Sequence, residues 1–197
     1  MGTVYSWSPC LRLKRKQKFQ ARYLVNSAIV SSFELLFKPI APASAPVNRK
    51  AIQAYFLLIS NLNDASEPDV AISLKFKANG MPLMSDKLLT IFDIGVGNNF
   101  GTLDTNGMTE DYVLPSGYTG LFILQPKDLS PMAPDVEIRG VAEITLLSTS
   151  EAASAKLLLT PQHRGTFLPS DAMVPDLDQQ SYGLPTPDGK YLFELTK

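Results

Sequence analysis

Cysteine, histidine and tryptophan each occur once in the 197 residues, as Cys10, His163 and Trp7. One cysteine excludes an internal disulfide framework and every multi-cysteine metal site. A lone thiol fits a reducing compartment better than an oxidising one, with an intermolecular bridge through Cys10 as the alternative. One histidine means that any Ser-His-Asp or Cys-His system has to use His163. No G-x-S-x-G elbow accompanies it, and Cys10 lies at the other end of the chain. A loop contact or a hydrogen-bonded structural role is therefore the expectation for His163, and no enzyme is expected.

Long apolar runs are also missing. Nothing approaches the ~18 to 20 apolar residues of a membrane span. The first long apolar stretch, residues 23–37, is broken by Asn26, Ser27, Ser31, Ser32 and Glu34, so it makes no convincing secretory signal. Met1-Gly2 with Ser6 matches the short N-myristoylation pattern, which has meaning only where the host has the transferase. Cytoplasmic residence is the default expectation, with an assembled extracellular or viral particle as the alternative.

Acids are absent from residues 1–22, which carry Arg12, Lys14, Arg15, Lys16, Lys18 and Arg22. The remainder holds all 19 acids and the other 12 bases, for a net charge of −1 overall. A cationic arm is thus attached to an acidic body, and it could meet nucleic acid, an anionic lipid surface or another copy's acidic face. Tyr5, Trp7, Phe19 and Tyr23 could stack on bases. Six charges on a chain with no net positive charge make nucleic acid the minor reading.

What the chain does have is alternation. In Val136–Leu147, Val136, Ile138, Gly140, Ala142, Ile144 and Leu146 fall on one side, and Glu137, Arg139, Glu143 and Thr145 on the other. Such a pattern predicts a long strand with one face in a core and one in water. Strands are likewise predicted within Tyr23–Ile40, over Ile52–Ser60, Val70–Lys77, Leu88–Ile94, from Tyr112, and over Gly120–Gln125 and Lys156–Thr160. Ile52–Ser60 is nearly continuous in apolar residues and reads as buried on both faces. It is expected to pair with Val70–Lys77 as a hairpin, and Asn106-Gly107 is expected to turn another. The 15 prolines lie mostly between these runs. No amphipathic helix and no fixed-period repeat intervenes.

The chemistry-bearing motifs are weak. Gly95, Gly97 and Gly101 are spaced G-x-G-x-x-x-G and no helix start follows, so pyrophosphate would have no helix N-terminus to sit on. Asp104, Asn106, Glu110 and Asp111 stand at calcium-like intervals but lack a full twelve-residue loop. No pair of carboxylates is singled out for glycoside hydrolysis.

The expected architecture is an all-β, antiparallel β-sandwich, jelly-roll or immunoglobulin-like. Residues 1–46 would form a basic arm, a strand and a Pro-rich linker, residues 47–160 the core, and residues 161–197 an irregular Pro-rich tail that ends, after a Pro187-Asp188-Gly189-Lys190 turn, in a final strand from Tyr191. The expected function is non-catalytic and made through protein contacts, most plausibly as a self-assembling structural subunit exchanging terminal arms. Leu11, Leu13, Arg15, Phe19 and Tyr23 are the expected arm contacts in a homo-oligomer. The alternative is a small-ligand or carbohydrate-binding module using the Gly95–Tyr112 loop, with Asn98, Asn99, Phe100 and Tyr112 as its residues. Neither reading calls for a metal or a cofactor.

Overall fold

A computed structural model describes residues 26–39, 50–80, 82–130, 132–168 and 179–197. These residues form eleven strands, joined by turns and two single-turn 3-10 segments, and no α-helix. The strands are β1 (Ser27–Pro39), β2 (Lys50–Asn61), β3 (Val70–Ala78), β4 (Leu88–Asp93), β5 (Asn98–Gly101) and β6 (Tyr112–Leu114). They continue as β7 (Thr119–Pro126), β8 (Val136–Leu146), β9 (Ser154–Leu168), β10 (Gln179–Gly183) and β11 (Leu192–Thr196). The all-β class is as expected, and every strand pairing is antiparallel.

One hydrogen-bonded ladder runs through all of them, so the sheet is continuous and curls on itself. The first wing is ordered β6-β3-β8-β1 and the second β5-β4-β7-β2-β9, with β10 and β11 both on the far edge of β9. The join is β2. Its first residues, Lys50–Gln53, pair with Leu36–Pro39 of β1, and Tyr55–Ser60 pair with β7. Its other edge is filled by β9 along the whole length.

The core lies inside the curl. β1 contributes Phe33, Leu35 and Phe37, β2 contributes Tyr55, Leu57 and Ile59, and β8 contributes its entire predicted apolar side, all buried. Rings of the two wings meet edge-on: Tyr55 packs against Phe33 and Phe76, at centroid distances of 6.4 and 5.7 Å. Phe76 also stacks on Phe122 of the second wing at 5.7 Å. Such pairs add roughly 0.5–1.5 kcal/mol each beyond the area they bury. Gly140 makes this packing fit, because a Cβ there would overlap the Lys77 carbonyl and press on the Phe33 ring.

Four expectations are corrected. β2 and β3 do not pair, because both edges of β2 are already taken by β1, β7 and β9, and β3 pairs with β8 and β6. Asn106-Gly107 makes a tight turn, closed by the Gly107 N–H on the Asp104 carbonyl and the Asp104 N–H on the Met108 carbonyl, but it joins no paired strands, since β5 pairs with β4 and β6 with β3. β2 is not buried on both faces throughout; on the outer face Ala54 is buried but Phe56 and Leu58 are only half-buried.

The fourth concerns residues 161–197, which are not irregular up to the final strand: β9 runs through Pro161 to Leu168 and β10 follows, while β11 is the final strand expected after the Pro187–Lys190 turn. Proline is tolerated in a strand where its missing N–H faces an unpaired stretch of edge. The Leu159 N–H points away from β2 to the Tyr191 carbonyl, so the Pro161 nitrogen two residues on points the same way. There it falls in the gap between the β11 pairing, which stops at Leu158, and the β10 pairing, which starts at Gln162. The Pro42–Pro46 linker lies outside the described residues.

Candidate functional site

Three features gather polar or unpartnered groups. The first is a polar network where the wings meet. His163 of β9 is buried beside Tyr55 and reaches β1, where its Nε2 accepts the Glu34 backbone N–H at 2.9 Å. That contact fixes the proton on Nδ1, which lies 3.1 Å from the Tyr182 hydroxyl of β10. The Tyr182 hydroxyl donates to Gln53 Oε1, and Gln53 Nε2 donates to the Glu34 carboxylate. Burial pushes the His163 imidazole below its ordinary range, with the Glu34 charge acting the other way. Both ring nitrogens are occupied, so this histidine holds three strands in register, the structural role expected of it, although from within a strand and not a loop.

The network runs on over the outer face of the first wing. Arg139 pairs with both Glu34 and Glu137, Lys38 with Glu137, and Lys77 with Glu143 at 2.5 Å. The Lys38 ammonium, more than any other group, holds the Glu137 carboxyl below its usual range.

The outer face of the second wing has the opposite character. Directly opposed residues in an antiparallel ladder share a face, and the register places Phe56 against Ile123, Ile123 against Ile91 and Ile91 against Phe100. On one side of this row lie Leu58 and Leu121, on the other Ala54, Gln125 and Leu89. Leu158 and Leu192, opposed and exposed, extend it onto β9 and β11. Charge occurs beside that leucine pair, where Lys156 and Glu194 stand opposed, and at two corners of the central rows. Arg164 stands beside Ala54 with its guanidinium 4.3 Å from the Phe56 ring centroid, and Asp93 stands beside Leu121. Neither forms an ion pair among the described residues.

The third feature is a cleft of about 610 Å³ at the open end between β5 and β6. Asn98, Asn99, Phe100 and Tyr112, the four residues expected to form a ligand loop, all line it. They arrive on two strands of different wings, which pair with β4 and β3 respectively. Phe100 is exposed at 64% and Tyr112 buried at 4%, so they are rim and floor. Sequence reasoning missed Glu110 and Asp111 as walls of the same cleft, having read them as part of a calcium-like loop. The Asp104 carboxylate is instead consumed by the turn, accepting the backbone N–H of Asn106 and of Met108, both at 2.8 Å. The Met108 bond is the main reason its carboxyl sits below the usual range. Among the described residues no three acidic, histidine or cysteine side chains are grouped to hold a metal.

Leu11, Leu13, Arg15, Phe19 and Tyr23 lie outside the described residues. No helix among the described residues is long and apolar enough to cross a membrane. The chain matches no family model, no curated protein and no solved structure. Function has to be read from the geometry alone.

Proposed function

We propose that this protein works without catalysis, by self-association through the outer face of its second wing. The observation that carries this reading is the row Phe56–Ile123–Ile91–Phe100, apolar along its length, half-buried on β2, β7 and β4 and exposed at Phe100. With its flanking rows it spans roughly 400 Å², from strand spacings of ~4.8 Å and a rise of ~3.3 Å per residue. The largest apolar patch of an ordinary monomer is of about that size and is often functional. Half of the ~800 Å² that each partner gives to a standard interface is then apolar, and a polar rim supplies the rest. Occupation of both His163 nitrogens supports the non-catalytic part of the reading.

The occupant is a second copy, because the charged corners are self-complementary. Arg164 and Asp93 lie on a diagonal, three strands (about 14 Å) and four residues (about 13 Å) apart. A two-fold axis in the plane of the face, perpendicular to that diagonal, sets each Arg164 on the other copy's Asp93. The strands of the two copies then cross at close to 90°, one of the two favoured packings of sheets.

Sedimentation analysis across a concentration series tests the reading. A dimer is expected, and Phe56→Glu with Ile123→Glu should leave a folded monomer. Arg164→Asp and Asp93→Arg should each weaken the dimer at least tenfold, and the two together should restore it. A monomer at every concentration would sink the reading; a dimer indifferent to the charge reversals would keep the face and discard the crossed geometry. If deleting residues 1–22 abolished association while the face variants still dimerised, the contact would belong to the arm.

A further inference from the structure

The sheet is curled but not closed, and the cleft of about 610 Å³ lies where two of its end strands face each other. β5 pairs only with β4, and β6 only with β3. Among the described residues, no backbone group of Asn98–Gly101, Tyr112 or Val113 bonds outside those pairings. The lining comes from both faces of each strand. On β5, Asn99 stands with buried Phe92 and Phe100 with half-buried Ile91; on β6, Tyr112 is buried and Val113 exposed. Space bordered by both faces runs along strand edges, so the cleft presents the unpaired main chain of β5 and β6. Apart from being short, these strands lack the usual protections of a free edge. Neither contains a charge or a proline, and both ladders keep an unbroken register.

We propose that the N-terminal arm of the same chain occupies this cleft, with residues 11–15 lying along β5 as an added strand. Charge selects the arm. Glu110 and Asp111 are the only charged residues of the lining, and residues 1–22 carry six bases and no acid. Period fits as well. Leu11 and Leu13 alternate with Arg12 and Lys14, so a strand turns its leucines toward Ile94 on the inner side. Its bases then meet Asp111 and the Phe100 ring on the outer side. The arm is also within reach. It joins the described chain at Asn26, whose carbonyl accepts the Leu146 N–H at 2.7 Å. Leu146 stands opposite Ile72, and Ile72 opposite Tyr112. Asn26 is therefore three strands, about 14 Å, from β6, and one more spacing of about 5 Å leads into the cleft. Residues 19–25, extended at ~3.3 Å each, span about 23 Å. β1 and β5 point the same way, four antiparallel pairings apart, so a segment leading back to the start of β1 runs antiparallel to β5. A strand on the edge of β5 leaves the outer face of β4, β7 and β2 open, so this docking does not depend on the dimer.

Cys10 is the chain's only thiol, so a nitroxide attached to it reports the position of the arm without any substitution. In amide NMR of the full chain, Asn98–Gly101 and Asp111–Val113 are expected to lose at least half their intensity, with no loss along β10 or β11. A mixture of isotope-labelled chain lacking the nitroxide and unlabelled chain carrying it should show no comparable loss. Glu110→Lys with Asp111→Lys should restore the signals, and Leu11→Asp with Leu13→Asp should restore them without touching the cleft. Unaltered broadening in either variant would overturn the proposal, as would a nitroxide that broadens no strand edge or a different one. Broadening that appears only in the mixed sample would overturn it too, assigning the cleft to another copy's arm.

Discussion

The two wings of the sheet share one core but present opposite exteriors. On the outside of the first, Glu34, Arg139, Glu137 and Lys38 form a connected chain of ion pairs over β1 and β8, and Lys77 and Glu143 a separate pair between β3 and β8. On the outside of the second, the equivalent positions are Phe56, Leu58, Leu121, Ile123 and Ile91. Both sets stand on antiparallel strands with the same inward alternation, so backbone geometry does not explain the contrast. A sheet face that ends in water can carry charges at little cost. A row of large apolar side chains left in water loses about 25 cal/mol for every Å² that a partner could cover. The first exterior is finished by solvent, and the second leaves apolar side chains for the proposed second copy to cover.

The contrast can be broken most severely where packing is tightest. Gly140→Ala in the first wing should destabilise the chain by more than about 3 kcal/mol in urea titration, because β3 must move away from the new methyl group. Gly165→Ala in the second wing, where the Cβ would stand 3.2 Å from the Ile52 carbonyl, should cost less than about 1 kcal/mol. Equal losses would mean that the wings are packed alike.

A charge placed on each exterior comes next. Ile91→Lys should lower the association constant by at least tenfold with a small change in melting temperature, and Val141→Lys on the first wing should leave association as it was. A smaller effect belongs to the junction between wings. The folded-state pKa of His163 is depressed below the ordinary imidazole value of about 6.5. The unfolded chain therefore takes up its proton first, and the stability is complete above that value and declines as pH falls from it toward the folded pKa. Melting temperatures from pH 8 to 5 should show this slope, and His163→Gln should flatten it. Smallest of all, Lys77→Ala should cost about 0.5 kcal/mol or less, and added salt should erase the difference.

Local pattern was enough for most strands. Val136–Leu146 alternates strictly, and its predicted inner and outer sides are the observed ones. Partners were harder to read. Ile52–Ser60 and Val70–Lys77 are neighbours in sequence with a polar loop between, the usual mark of a hairpin, and nothing local records that β9, a hundred residues later, fills one edge of β2. Pro161 concealed the second half of β9 in the same way, since its harmlessness depends on where β10 and β11 stop and start. The cleft was half legible. Asn98, Asn99, Phe100 and Tyr112 stood out by composition, but Glu110 and Asp111, read as part of a calcium-like loop, become its walls only through the pairing of β6 with β3.

The saturation of β2 has one more consequence. Its Ala54–Ile59 stretch combines aromatic and branched apolar residues with no charge and no proline, the composition that drives chains to add to one another as strands without limit. Because β9 covers one edge, and β1 and β7 the other, that stretch has no backbone to offer a newcomer. It can be approached only broadside, through side chains, in a contact that uses itself up once a single partner has arrived. In the proposed dimer, the topology thus turns a segment prone to endless growth into one that counts to two.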